Sequence, residues 1–161
     1  MAIAAALLAA ACSPGAPTAQ EPLAAETGPQ RHPESGLEII DVAIVTDARR
    51  IVFRSELADT REAQTRGLMF RTALADDAAM LFPSDAPQTR TFWMRNTPIS
   101  LDIIFVGTDG RISNIAARTE PYSLDELGSA GLTSAVLEIR GGLSAELGIE
   151  PGDAVEYTLP Q

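Results

Sequence analysis

The stretch ISLDIIFVGTDGRISNIAA, residues 99–117, decides the fold. Two apolar runs rich in β-branched residues flank a polar break in which Asp109 and Gly110 supply the residue types that tolerate positive φ. The pattern predicts antiparallel strands over 99–106 and 111–117, joined by a tight hairpin turn. Working outward, similar short runs separated by turn residues fall at 38–46, 50–57, 78–82, 89–95, 134–139 and 153–159. Eight short strands at this spacing predict a mainly β chain, a single β-sandwich or barrel-like domain over residues 37–160. Helix signals are two and short. Asp59 is placed to cap a helix with Glu62 three residues on and Gly67 closing it, and Leu143 to Leu147 forms a second, closed by Gly148. Pro151-Gly152 then turns the chain into its last strand.

Composition bounds the chemistry. The net charge of −10 over 161 residues offers no basic stripe for phosphate neutralisation, which argues against nucleic acid as a partner. All 12 basic residues are arginine, so a Schiff-base or general-base lysine is excluded. The single histidine, His32, lies among prolines, and the single cysteine, Cys12, lies near the N-terminus. Residues 37–160 therefore cannot build Cys/His zinc sites or a Ser-His-Asp or Cys-His nucleophile. No cofactor is called for.

The first residues, MAIAAALLAAACSPG, carry an apolar run too short to cross a membrane but suited to an export signal over residues 1–11. Leu8 to Cys12 resembles a bacterial lipobox, with alanine at the position three before the cysteine where leucine is usual. Residues 12–36 contain five prolines and almost no large apolar side chains, and read as a tether with a reach of roughly 25–30 Å. The expected destination is the bacterial envelope, with the domain in the periplasm and the lipid on Cys12 holding it to a membrane.

RGLMFR at 66–71, MLF at 80–82, FWMRNTPISLDIIF at 92–105, VLEIRGG at 136–142 and GIEPGD at 148–153 resemble the domain of unknown function 192 family, which is commonly exported. The resemblance runs over most of residues 38–159. It implies a compact sandwich or barrel-like domain with a short helix before RGLMFR, and it carries no reaction. Arg95 stands where that family often has lysine, keeping charge but not geometry.

Within RTFWMRNTP, residues 90–98, strand alternation puts Thr91, Trp93 and Arg95 on one face and Phe92, Met94 and Asn96 on the other. Bulk on both faces predicts a central strand. Positive charge is also local: residues 61–100 hold five arginines against four acids, the remainder seven against eighteen. Arg66, Arg71, Trp93, Arg95 and Asn96 are thus candidates for a groove binding a small anion or an envelope glycan, since guanidinium pairs bidentately with carboxylate or phosphate. The bland alternative is an internal network pairing these arginines with Asp76, Asp77 or Asp102, with Trp93 in the core.

Asp102 interrupts an apolar strand, and serves either as a structural anchor or as an acid–base group. Met69, Met80 and Met94 offer thioethers that a soft Cu(I) ion selects, or simply fill the core. Three function classes follow: a non-catalytic anion- or glycan-binding module, a docking module for another envelope protein, and a carboxylate-dependent enzyme on a sugar polymer. If Cys12 is the anchor, mature protein will sediment with membranes and mass spectrometry will find diacylglyceryl on it. A soluble mature protein with unmodified Cys12 is the opposing result.

Overall fold

The computed structural model describes residues 30–160. The expected export signal and Cys12, with most of the expected tether, lie outside the described residues. Nine strands and two short helices follow one another: β1 Ile39–Val45, β2 Arg50–Leu57, α1 Arg61–Arg66, β3 Ala78–Gln88, β4 Thr91–Phe92, β5 Leu101–Gly107, β6 Ile112–Ala116, β7 Leu127–Gly128, β8 Thr133–Arg140, α2 Leu143–Leu147 and β9 Ala154–Tyr157. Seven strands form one sheet in the order β6-β5-β8-β3-β2-β1-β9, and β4 and β7 form a separate two-stranded ribbon.

The 99–117 hairpin forms as its turn residues dictate. Gly110 sits at φ 75°, and the Asp109 carboxylate accepts a hydrogen bond from the Arg111 N–H at 3.1 Å. The sheet curls until its edges touch at one corner, where Arg111 bridges Ala154, but β6 and β9 do not pair along their length and no barrel closes. Inside the curl lies an apolar cluster to which all seven strands contribute, among them Val42, Phe53, Leu81, Ile104, Leu137 and Val155.

One pairing breaks the antiparallel pattern. β2 and β3 run parallel, from Arg54 beside Ala78 to Leu57 beside Leu81. A parallel pair needs a crossover, and residues 58–77 with α1 supply it by passing over the outer face of the sheet. There Met80 and Phe82 of β3, Val136 of β8, and Leu101, Ile103 and Phe105 of β5 form a second core with Ala58, Leu68 and Met94. The three middle strands are consequently covered on both sides.

Thr60, rather than Asp59, caps α1, its hydroxyl accepting from the Ala63 N–H at 3.1 Å, and Gly67 ends the helix. The central strand expected over 89–95 is a correction. Only Thr91–Phe92 is extended, it pairs with Leu127–Gly128 outside the main sheet, and the chain then turns at 94–97 with Asn96 in the left-handed region. The bulk on both faces reflects a segment lying over the sheet, with Met94 buried and Phe92 partly buried beneath it and Trp93 and Arg95 exposed.

Asp102 points to the inner face, and it is fully buried. Its carboxylate accepts from the backbone N–H of Arg118 at 2.7 Å, Gly142 at 2.8 Å and Ser144 at 2.9 Å, and from the Ser144 hydroxyl at 2.5 Å. It thereby satisfies the first turn of α2, which has no cap from its own N-cap residue, Gly142. Gly141 is needed at this junction, because a Cβ there would overlap Ser100. Replacing Asp102 with Ala strands the buried N–H donors of Gly142 and Ser144 and the part-buried one of Arg118, and should destabilise the domain by about 3 kcal/mol or more, read as a fall in the denaturant midpoint; a loss under about 1 kcal/mol would contradict this clamp.

A groove with a buried carboxyl at its floor

On the outer face, α1 with its following turn and the 90–97 segment stand apart and enclose a groove of about 980 Å³. Its floor is the second core, where buried Phe82 and Leu101 line it, and its walls carry Phe70, Phe92, Trp93 and Met94. Four arginines line it, at positions 61, 66, 90 and 95, with Glu62 at the rim and Glu138 below.

Trp93 is 49% exposed, and the Arg95 guanidinium lies 5.7 Å from its ring centroid in a cation–π arrangement. Arg61, Arg66 and Arg95 make no ion pair among the described residues. Arg90 is half-buried over the Phe92 ring at 5.3 Å and donates to Ser84 Oγ and Gln64 Oε1, both at 3.2 Å. Asn96 is on the rim, its carbonyl accepting from the Phe70 N–H at 2.8 Å.

Arg71 is placed elsewhere. It pairs with buried Glu56 at 2.8 Å and with Glu34 at 3.1 Å, beside His32. Residues 30–36, within the expected tether, are seated here: Arg31 bridges Glu38 and Ser35 donates to Glu56. Of the acids expected to pair with the arginine island, Asp76 instead holds Arg140. Asp102 is on the opposite face of the sheet from the groove and meets backbone donors and a hydroxyl, not a guanidinium.

The three methionines fill apolar space. Met80 and Met94 are buried in the second core, Met94 accepting from the Thr119 hydroxyl, and Met69 lines the groove beside the Asn96 amide at 3.8 Å. Among the described residues no three His, Cys, Asp or Glu side chains cluster as metal ligands.

Glu138 is the residue that sequence reasoning passed over. Strand alternation on β8 places it beside Val136 on the outer face, where its neighbours in register are Met80 and Ile103. It is 5% exposed and forms no side-chain hydrogen bond or ion pair among the described residues, so its carboxyl opens only onto the groove. Burial among apolar side chains pushes its pKa up to about 8, against the opposing field of Arg90. Burial in turn lowers that of Arg90, which the fields of Asp85 and Glu138 oppose; the guanidinium remains a cation. The available signal was a lone acid in the run AVLEI, the same pattern that marked Asp102.

The chain belongs to the DUF192 family, whose model, described as an uncharacterised ACR, matches residues 43–157. Among solved structures it is similar to a protein of unknown function from Novosphingobium aromaticivorans, with 56% identity, a TM-score of 0.78, and coverage of 81% of this chain and 94% of that one. It is also similar to a candidate transcription regulator from Sinorhizobium meliloti, with 32% identity, a TM-score of 0.72, and coverage of 75% and 95% respectively. No curated protein matches the chain.

A carboxyl whose pKa is raised by folding binds its proton more tightly in the native state. Native stability therefore falls as pH rises from the ordinary value of 4.5 to about 8 and is not reduced further above it. Thermal melts of wild type and Glu138→Gln should coincide near pH 4, below the ordinary value. By pH 9 the variant should be the more stable, by an amount on the order of a few kcal/mol. Parallel pH profiles for the two proteins would show that Glu138 titrates normally.

Proposed function

We propose that this domain is a non-catalytic binding module of the bacterial envelope, held to a membrane by a lipid on Cys12, whose groove takes a small anionic ligand or an acidic envelope glycan. The observation that carries the reading is the pairing of half-exposed Trp93 with Arg95, which makes no ion pair among the described residues, on the wall of a groove that Arg61, Arg66 and Arg90 also line. An indole face stacks on the apolar face of a sugar ring, and guanidinium groups hold a carboxylate or phosphate. A groove of this size accommodates a mono- or disaccharide. The net charge of −10 argues against a nucleic-acid partner for this chain and gives no support for carrying over the transcription-regulator role from the Sinorhizobium meliloti protein.

A second reading has its own observation. Glu62 and Glu138 line the same groove, so a carboxyl-dependent reaction on a sugar polymer has two acids at hand. Release of reducing ends from polyuronate or peptidoglycan, lost in Glu138→Gln, is what that reading requires.

Calorimetric titration with uronic acids, dicarboxylates and inorganic phosphate tests the binding reading. Arg95→Ala should weaken affinity about ten- to a hundredfold, the loss of one charge-assisted contact of roughly 1.5–3 kcal/mol, with little change in melting temperature because the guanidinium is exposed. Absence of binding by every anion in the panel would overturn the proposal.

A further inference from the structure

Glu138 and Arg90 are two buried or half-buried ionisable groups lining one groove, with electrostatic coupling but no ion pair between them among the described residues. Arg90 uses two of its N–H groups on Ser84 and Gln64, leaving three of the five a guanidinium carries. The Glu138 carboxyl has no hydrogen-bond or ion-pair partner among the described residues, and because no fully buried side-chain oxygen there goes unpaired, its oxygens reach the open groove. Nothing in the second core needs an acid at this position, since its neighbours in register, Met80 and Ile103, are apolar and fully buried. A ligand group completes the arrangement if it can accept from both.

Building on the reading of the groove as an anion site, we propose that Glu138 is its floor contact for a carboxylate. In its neutral form the carboxyl donates a hydrogen bond to one carboxylate oxygen while Arg90 donates to the ligand's charge, so that filling the groove and protonating Glu138 are one coupled event. A carboxylate on a ring fits better than phosphate. The floor around Glu138 is apolar, with Phe82 and Leu101 beside it, and a doubly charged, strongly hydrated anion gives up more solvation there than a planar monoanion does.

The arginines that face Glu138 favour its ionised form, and an anion that pairs with them removes that bias. From β3 and β5 it faces Met80, Phe82, Leu101 and Ile103, without charge. α1 brings Arg61, Glu62 and Arg66 to the groove, and the 90–97 segment brings Arg90 and Arg95. Asp85 of β3 acts on Arg90, and Arg140, two residues along β8, is held by Asp76 and Glu146. An arriving anion adds negative charge beside Glu138, which favours its protonated form further.

The test is calorimetry of the full domain with glucuronate, glucose and inorganic phosphate, in buffers of different ionisation enthalpy, from pH 6 to 9.5. Glucuronate binding should take up no proton at pH 6, where Glu138 is already protonated, and approach one proton per ligand above pH 8.5. Affinity should fall toward tenfold per pH unit there. Glu138→Gln, whose amide still donates, should bind with no proton uptake and a flat pH profile, and glucose should show no linkage in either protein. Glucuronate binding that is sensitive to Arg95→Ala yet takes up no proton in wild type overturns the role of Glu138 and leaves the groove reading standing. Uptake that persists in Glu138→Gln assigns the proton to another group and also overturns it, as does phosphate binding with glucuronate excluded. If neither glucuronate nor phosphate binds, both proposals fall. Should Glu138→Gln fail to fold, the wild-type proton count across pH decides alone.

Discussion

Three strands in the middle of the sheet, β3, β8 and β5, have side chains buried on both faces, and every residue of β5 is buried. A curled sheet covers its own inner face with side chains from all its strands, but the outer face of those three needs a separate layer. The parallel pairing of β2 with β3 provides it, because the chain must cross over the sheet to return in the same direction, and residues 58–77 are that crossing. The 90–97 segment covers the rest. Between these two covering pieces the layer is incomplete, and the gap is the groove.

Burial on both faces makes any acid in these strands costly, and the protein places one on each side. Asp102 and Glu138 occupy adjacent strands, Asp102 opposite Ile139 and Glu138 opposite Ile103. They are nearly equally buried, at 0% and 5% exposure, and yet their surroundings are opposite. Asp102 gathers four donors from the Arg118 loop and the start of α2, and its charge thereby organises a helix too short to satisfy its own end. Glu138 gathers none among the described residues. The first acid is explained by the fold, and the second is left over by it, which is why the unsatisfied group and not the more buried one marks the site.

The sequence could not distinguish them. Both read as a lone acid in an apolar run, and only Asp102 drew attention. The donors that settle its role come from residues 16 to 42 positions away, brought in by the curl of the sheet. Local signals were legible where physics is local. The Asp109-Gly110 turn, the α2 stop at Gly148 and the inward–outward alternation from Thr91 to Arg95 all depend on residues within one turn or strand. The parallel pair was not legible, since a strand's sequence carries its faces but not its neighbour's direction. Arg71 was drawn away from the groove for the same reason, because its partners, Glu34 and Glu56, lie 37 and 15 residues off.

The groove wall is also held in a fixed shape by its backbone. Phe70 at φ 67°, Asn96 at φ 55° and Tyr122 at φ 64° sit in the left-handed region, where non-glycine residues are uncommon and bulky ones are strained. Each is tied to the 94–98 turn: the Phe70 N–H donates to Asn96, the Tyr122 N–H to Thr97, and the Met94 N–H to Ser123, at 2.8, 3.1 and 2.9 Å. Met94, buried at the centre of this bracing, pins the turn to the second core while its neighbours Trp93 and Arg95 remain exposed. Strain of about 1–3 kcal/mol per residue persists only where surrounding contacts fix the conformation, and here the contacts hold an indole and a guanidinium in one relative geometry before any ligand arrives. A wall preset in this way spares a ligand the ordering of the residues it meets, so its contacts with Trp93 and Arg95 convert more fully into affinity.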